Sequence, residues 1–361
     1  MDLIIIHDSE IKYFEALKEL ENEKKIKIAT FYLHFIKFFF KGLIRRNLKM
    51  IIKSIFSFIF YLNSFLIKNK IILMGIAPYD FRLIFWVHLL NKNKVIFHNS
   101  WPYWTENDYP EKVKFGKNFT LKTWEKFICH KNLYIVNILE KAKFEIIKKY
   151  NKDKDKIFII PHCYNPYYFY LNNDKHNEIK ILYVGRFVRE KGLEYLRDII
   201  ENFKNVKFGI IGEGKDKYIL QNVLKKQNVL YYGYIGNKKR LGEIMREYDI
   251  LLLPSYKTNN WEEVFGIVLI EAMACGLVCI STDCIGPLHI VKDMENGIIV
   301  KQKDLRMLIE KIKLVMEKND LREKIKEKAL KSIEFYKIEN VKRLWLDVIN
   351  KISNGEFNAI N

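Results

Sequence analysis

Residues 180–192 read KILYVGRFVREKG. Ile181 to Val184 form a short continuous apolar run with branched and aromatic members, the pattern of a strand buried on both faces. Gly185 ends the run, and a helical pattern takes over at 191–203. A strand that turns through glycine into a helix is half of a βαβ unit. The chain repeats it. VKFGIIGEG (206–214) is a strand ending in glycines, with a helix expected near 215–226. VLYYGYI (229–235), DILLLPS (249–255), GLVCIST (276–282) and GIIV (297–300) read as further strands around a helix at 238–247. Residues 303–351 read as helices rich in Lys and Glu.

The same alternation precedes this stretch. LIIIH (3–7), KIKIATF (25–31), KIILMG (70–75), KVIFHN (94–99), NLYIVN (132–137) and KIFIIPH (156–162) read as strands. Helices are expected near 10–23, 80–91 and 139–150. Between the two runs lies YLNNDKHNEIK (170–180), polar and aperiodic, the best linker candidate. Two successive βα runs make an α/β protein of two doubly wound parallel sheets. Right-handed crossovers place the ligand edge of each sheet at the carboxyl ends of its strands, and two such domains facing each other make a cleft.

Composition fits two domains. The chain has 361 residues and is 49% hydrophobic, which excludes wholesale disorder. The five cysteines, Cys129, Cys163, Cys275, Cys279 and Cys284, form no CxxC pair and read as reduced thiols of a cytosolic protein. MDLIIIHDSE has no basic leader region and reads as a first strand rather than a signal peptide.

The net charge is +19, which implies a polyanionic ligand or surface. Between Lys24 and Tyr79 there is no Asp or Glu, and eleven Lys or Arg residues. Lys37, Lys41, Arg45, Lys49 and Lys53 recur every fourth residue, which on one helix makes a slowly drifting basic stripe. Among them sit Phe35, Phe38, Phe39, Phe40, Leu43, Ile44, Leu48, Ile51 and Ile52. Such a region is either a core-facing helix with a solvated basic face or a helix lying on an anionic membrane; contact with nucleic acid is the weakest reading. Ser54–Ile67 is the longest uncharged run in this span, 14 residues, short of the roughly 20 that span a bilayer.

Three features carry chemistry. In VGRFVREKG (184–192), Arg186 and Lys191 flank a strand-to-helix turn, a place suited to a diphosphate, although surface charge alone also explains them. In IIGEG (210–214), Gly212 and Gly214 read first as tight-turn residues. In EVFGIVLIEAMACGLV (263–278), Glu263 and Glu271 bracket seven uncharged residues. A helix over 266–275 puts Glu263 just before its first turn and Glu271 one to two turns in. Gly266 would let a ligand approach the free amides around Phe265 to Ile267. Carboxylates accept paired hydrogen bonds from vicinal diols, so the two acids could hold two sugars; a capping and a structural Glu are the plainer alternative.

Together VGRFVREKG, IIGEG, YYGYIG (231–236), YDILLLPS (248–255) and EVFGIVLIEAMACGLVCIST (263–282) resemble, in order and spacing, the glycosyltransferases of family 4. The resemblance is strong over about 180–300, moderate over 130–170 and faint before residue 70. It implies the GT-B fold, two Rossmann-like domains: an acceptor-side domain at 1–170, a nucleotide-sugar domain at 171–340, and a helix at 341–361 packing back towards the first. It implies a retaining transferase taking a nucleotide-diphosphate-sugar and needing no metal. Arg186, Lys191 and Gly185 would hold the diphosphate. Glu271 would take the ribose and Glu263 the transferred sugar, with help from amides at Phe265, Gly266 and Ile267. His98, in VIFHNSWPYW, would face the reacting centre. Trp101, Tyr103 and Trp104 beside it could stack on a sugar or pack.

Two departures concern the first domain. The position of the family's glycine-rich loop reads HDSEIKYF (7–14), and the later NGVD-like segment reads PHCYN (161–165). DKD (153–155) sits in a Lys-rich turn and reads as surface charge rather than a metal site. The expected partners are the nucleotide-sugar, a glycan or lipid-linked acceptor and an anionic membrane surface meeting residues 31–67. The expected location is cytoplasmic, peripheral on the inner face of the membrane. The competing readings are a GT-B phosphorylase or epimerase, and a non-catalytic protein that binds lipid or nucleic acid.

Overall fold

A computed structural model describes residues 1–8, 14–104, 116–172, 178–259 and 261–354. They divide into two compact units, Met1–His162 with Glu339–Asn361, and Cys163–Ile338. The division falls just before the polar stretch 170–180, of which residues 173–177 lie outside the described residues. So do residues 9–13, the start of the helix expected near 10–23 and the middle of HDSEIKYF.

The first unit runs β1 (Asp2–His7), α1 (Glu15–Asn22), β2 (Lys27–Phe31), α2 (Phe35–Ile44), α3 (Leu48–Asn63), β3 (Ile71–Gly75), β4 (Lys94–Asn99), α4 (Lys117–Cys129), β5 (Leu133–Asn137), α5 (Glu140–Tyr150) and β6 (Ile157–Ile159). Its six strands are all parallel, in the order β2-β1-β3-β4-β5-β6. The inner strands are apolar on both faces because helices cover both. Trp104, Trp124, Phe97 and Phe127 pack edge to face in the core, and Trp86 stacks on Phe60.

The second unit runs β7 (Lys180–Val184), α6 (Leu193–Asn202), β8 (Lys207–Ile211), β9 (Val229–Gly233), α7 (Lys238–Met245), β10 (Ile250–Leu253), α8 (Ile267–Ala274), β11 (Val278–Thr282), α9 (Ile285–Ile290), β12 (Ile298–Val300), α10 (Leu305–Glu317) and α11 (Asn319–Ser332). Its order is β12-β11-β10-β7-β8-β9, again all parallel. The first strand of this unit, β7, lies beside its fourth, β10, so the direction of winding reverses between them.

A last helix, α12 (Ile338–Asn354), follows the second unit in sequence, yet residues from Glu339 onward belong to the first. There Trp345 packs against Phe14 and His98, with ring centroids 6.4 and 6.3 Å apart, and Lys342 pairs with Glu23.

Two expected helices are instead 3₁₀ turns. Residues 80–91 form turns at Phe81–Phe85 and Val87–Asn91, and 215–226 form turns at Lys217–Leu220 and Val223–Lys225. Buried positions explain this. Leu83, Trp86 and Leu89 recur every third residue, as do Leu220 and Val223. A three-residue turn keeps such positions on one side, whereas an α-helix rotates them apart.

The single basic stripe also fails to form. The helix breaks at Arg46, which takes a left-handed φ of 50°, and Asn47 starts α3 by accepting the Met50 amide at 3.0 Å. Lys37 and Lys41 therefore ride on α2, Lys49 and Lys53 on α3. A Cβ at Gly42 would lie 2.8 Å from Ile51 Cγ1, so the glycine allows the two helices to fold closely against each other. No helix among the described residues is long and apolar enough to cross a membrane. Asp153 of DKD accepts the Asp155 amide at 2.9 Å and so shapes its own turn.

Candidate active site

The reversal between β7 and β10 is where doubly wound sheets bind ligands, just beyond the strands' carboxyl ends. Gly185 and Arg186 follow β7 directly. Their turn is tied to the next strand: the Gly185 amide donates to Ile211 at 3.0 Å and the Phe187 amide to Glu213 at 2.9 Å. The Arg186 side chain is exposed on it. A short turn over Arg189–Lys191 leads to Gly192, whose φ of 75° starts α6. A Cβ at Gly192 would sit 2.0 Å from the Pro254 carbonyl oxygen. Glycine is thus required both by the left-handed conformation and by the close approach of α6 to the end of β10.

Lys191 points to Glu263 and forms an ion pair with it, both side chains nearly buried. Its Nζ also lies 5.3 Å from the centre of the Trp261 ring. Burial pushes the Tyr183 phenol far above its ordinary range, and the nearby Glu263 charge adds to the shift. Glu263 therefore lies over the end of β7, though it is distant in sequence.

The loop carrying Glu263 is clamped. The neighbouring Glu262, also buried, accepts the Ile285 amide at 2.7 Å. The Gly286 amide donates to the Glu263 carbonyl at 2.9 Å, and a Cβ at Gly286 would fall 2.3 Å from the Phe265 nitrogen. The Phe265 ring is buried against Tyr336 at 5.8 Å. Gly266, φ 79°, then opens α8, and no side chain caps that terminus. The first amides of such a helix lack intrahelical acceptors and carry the positive end of its dipole. Ile267 is the first of them. Glu271 follows one turn further, buried, with Lys238 Nζ of α7 at 3.4 Å from its Oε1. At the end of β10 the Ser255 hydroxyl is fully buried without a hydrogen-bond partner. A buried hydroxyl left without a partner calls for a group to satisfy it, such as an ordered water.

The second unit thus holds Gly185, Arg186, Lys191, Glu263, Phe265, Gly266, Ile267 and Glu271, with Lys191 and Glu263 in direct contact. Lys238, Trp261, Glu262, Ser255 and Gly192 also belong to this site, and sequence reading did not single them out. Only Glu262, adjacent to Glu263, left a trace in the sequence.

His98 belongs to the first unit, at the end of β4. It is buried, 4.9 Å from the Phe14 ring and 6.4 Å from the His162 ring. Burial holds its pKa well below the ordinary value, and the His162 and His7 charges add to this, so it is neutral at pH 7. His7, on β1, lies against Gly75, the residue paired with it on β3. Trp104 and Tyr103 are buried and serve packing; Trp101 is half-buried.

Residues 171–332 match the family described as glycosyl transferases group 1. The second unit is a glycosyl transferases group 1 domain. A 41.2 kDa protein in the cps region of Klebsiella pneumoniae is 33% identical over 141 residues, covering 38% of this chain and 37% of that protein. The capsular polysaccharide biosynthesis glycosyltransferase CapM of Staphylococcus aureus is 28% identical over 247 residues, 62% of this chain and 63% of its own. The chain thus spans less than two thirds of either relative. Among solved structures, sucrose-phosphate synthase of Thermosynechococcus elongatus superposes with a TM-score of 0.74 at 15% identity, covering 98% of this chain and all of that one. HepE of Anabaena, in complex with UDP-glucose, gives 0.68 at 13% identity over 98% and 100%. These likenesses establish the GT-B fold for the chain.

Proposed function

We propose that the chain is a retaining glycosyltransferase of family 4 that moves a sugar from a nucleoside-diphosphate sugar to a glycan or lipid-linked acceptor at an anionic membrane surface. The observation that carries the reading is the Lys191–Glu263 pair, held at the β7–β10 reversal beside the uncapped start of α8. A buried lysine and a buried glutamate are costly to maintain apart from each other, and a site that keeps both has cation and acceptor ready for a ligand bearing phosphate and hydroxyls.

In this reading the diphosphate lies across Gly185 and the α8 amides from Gly266 to Ile267, with Arg186 and Lys191 meeting its charge. Lys191 stabilises the charge that grows on the leaving nucleotide. Glu263 then accepts from hydroxyls of the transferred sugar, and Glu271, oriented by Lys238, from the ribose diol. The bond from the anomeric carbon to the phosphate oxygen breaks. The acceptor oxygen bonds to that carbon from the same face, and its proton passes to the departing phosphate. Neutral His98 is assigned to the acceptor side, where it can share a hydroxyl proton. The HepE complex favours UDP-glucose or a similar UDP-sugar as donor, and the capsular polysaccharide biosynthesis relative CapM favours a polysaccharide acceptor.

The test is calorimetric titration of UDP and UDP-sugars, with NMR of the product anomer. Binding that falls about tenfold or more in Arg186→Ala and Lys191→Ala, and an α product from an α donor made in the presence of EDTA, supports the reading. Equal binding by both variants would overturn the residue roles; an inverted product would overturn retention.

A further inference from the structure

The α2–α3 hairpin is built inside out. In α3 the positions turned inward are Ser54, Ser57, Phe60 and, just after the helix, Ser64. The serines are tied down: Ser54 donates to the Met50 carbonyl at 2.7 Å and Ser57 to the Lys53 carbonyl at 2.6 Å, while Ser57 accepts the Tyr32 amide at 2.9 Å. The large apolar residues face out. On α2, Ile36, Phe40, Leu43 and Ile44 are exposed; on α3, Leu48, Ile52, Ile55, Phe56, Ile59 and Leu62. Both sets follow helical spacing, so each is one continuous stripe. Sixteen of the 29 large apolar side chains exposed among the described residues fall between Ile36 and Phe85. A face of that size on a water-soluble surface marks an interaction site.

Its charge selects the partner. The hairpin tip puts Ile44, 84% exposed, and Leu48, 67% exposed, beside Arg45, Arg46 and Lys49. No carboxylate occurs between Lys24 and Tyr79 to offset them. A protein partner of average composition would leave these cations unmatched. An anionic bilayer matches both the apolar stripes and the cations.

A groove of about 470 Å³ opens at the other end of the hairpin, between the start of α2, the last turns of α3 and the 81–86 turn. Leu33, Phe35, Phe58, Tyr61, Phe85 and Trp86 form its apolar wall, and Lys37 and Arg82 also line it. Asp80 holds Arg82 at 2.8 Å from its Nε and Asp8 holds His34, which also lines the groove, so that among the described residues Lys37 is the lining cation with no carboxylate on it. We infer that the hairpin lies in the face of an anionic bilayer and that this groove receives one hydrocarbon chain of an anionic phospholipid, with Lys37 at its phosphate. The inference rests on the membrane-surface reading above and adds to it a bound lipid chain.

Vesicle flotation and indole quenching test the two levels separately. Vesicles of phosphatidylcholine, with and without phosphatidylglycerol carrying brominated chains, are the probe, because bromine quenches tryptophan on contact. Trp86 is 2% exposed, so a chain reaches it only through the groove. The protein should float with phosphatidylglycerol vesicles and much less with phosphatidylcholine alone. Arg45→Gln with Arg46→Gln should lower partitioning about thirtyfold. Bromine should remove a part of the emission that is missing in Trp86→Phe, and Phe58→Asp, at an exposed groove residue, should abolish that part with its melting curve unchanged. Flotation with identical quenching in all three proteins would overturn the groove and leave the membrane reading standing. No flotation with either vesicle would overturn both.

Discussion

Lys191 and Glu263 show how a site residue depends on a partner far away in sequence. Each is almost buried, and each answers the other's charge. Removing one leaves an uncompensated buried charge, which costs more than removing both. Lys191→Met and Glu263→Gln should each lower stability by about 2–4 kcal/mol in urea melts, with the double variant recovering part of the loss; simple additivity would mean that the pair is not coupled. Gly192 makes a second residue-scale case. Gly192→Ala must hold φ near 75° and place a methyl against the Pro254 carbonyl, so a loss of about 2 kcal/mol or more is expected in the same melts, and a neutral result would show that α6 can move off β10. The cations, and likewise the acids with Gly266, were legible as candidates because each set is spaced along its own strand–turn–helix, β7 to α6 and β10 to α8. Lys238, Trp261 and Ser255 were not, since only the folded sheet brings α7 and the end of β10 to that place. Trp104 and Tyr103 show the converse: an aromatic run beside a histidine looked fit to hold a sugar, and burial assigns it to the core.

At the level of elements, the strands were the most legible part, because a both-faced apolar run has few other uses. Helices near three-residue spacing were misjudged, as at 81–91, since 3.0 and 3.6 residues per turn differ little over two turns. The break at Arg46 was hidden by a charge repeat that continued unbroken across it. One element junction has a pH signature. His34, just before α2, bonds Asp8 at the end of β1, its amide donating to Asp8 Oδ1 at 2.8 Å, and its Nε2 lies 3.5 Å from Asp80. Burial alone would lower the His34 pKa, but the hydrogen bonds that its ring donates to the two aspartates outweigh it and raise it above 6.5. Burial would raise Asp8 and Asp80, and their bonds to His34, with Arg82 on Asp80, lower both. The raised histidine gives stability that is complete below about pH 6.5 and is lost as pH rises through its folded value; the lowered aspartates give stability present above about pH 4 and lost in acid. The stability deficit of His34→Asn should therefore be greatest in mildly acidic buffer and shrink towards pH 9. A deficit independent of pH would show that the imidazole is held neutral.

On the scale of the molecule, the two sheets share parallel strands but not strand order. The second unit carries the whole candidate donor site, while the first carries His98 and the basic hairpin. Helix α12, the last helix among the described residues, follows the second unit in sequence yet completes the first. Trp345, Ile349 and Ile352 are buried, and Trp345 closes over Phe14 and His98. Removing residues 339–361 should therefore harm the unit that is remote in sequence and spare the adjacent one. Calorimetry of the full chain and of the chain ending at Ile338 separates these outcomes. In the full chain, UDP at about 100 times its Kd should stabilise the second unit by about 2.7 kcal/mol. In the shortened chain that UDP-sensitive transition should persist, while the other moves down by tens of degrees or vanishes, in keeping with the loss of several core side chains at about 2–5 kcal/mol each. If both transitions fall together, the units fold as one body and the assignment of α12 to the first unit alone is wrong. If neither moves, the contacts of Trp345 contribute little, and the neutral state of His98 must rest on Phe14, His7 and His162 instead.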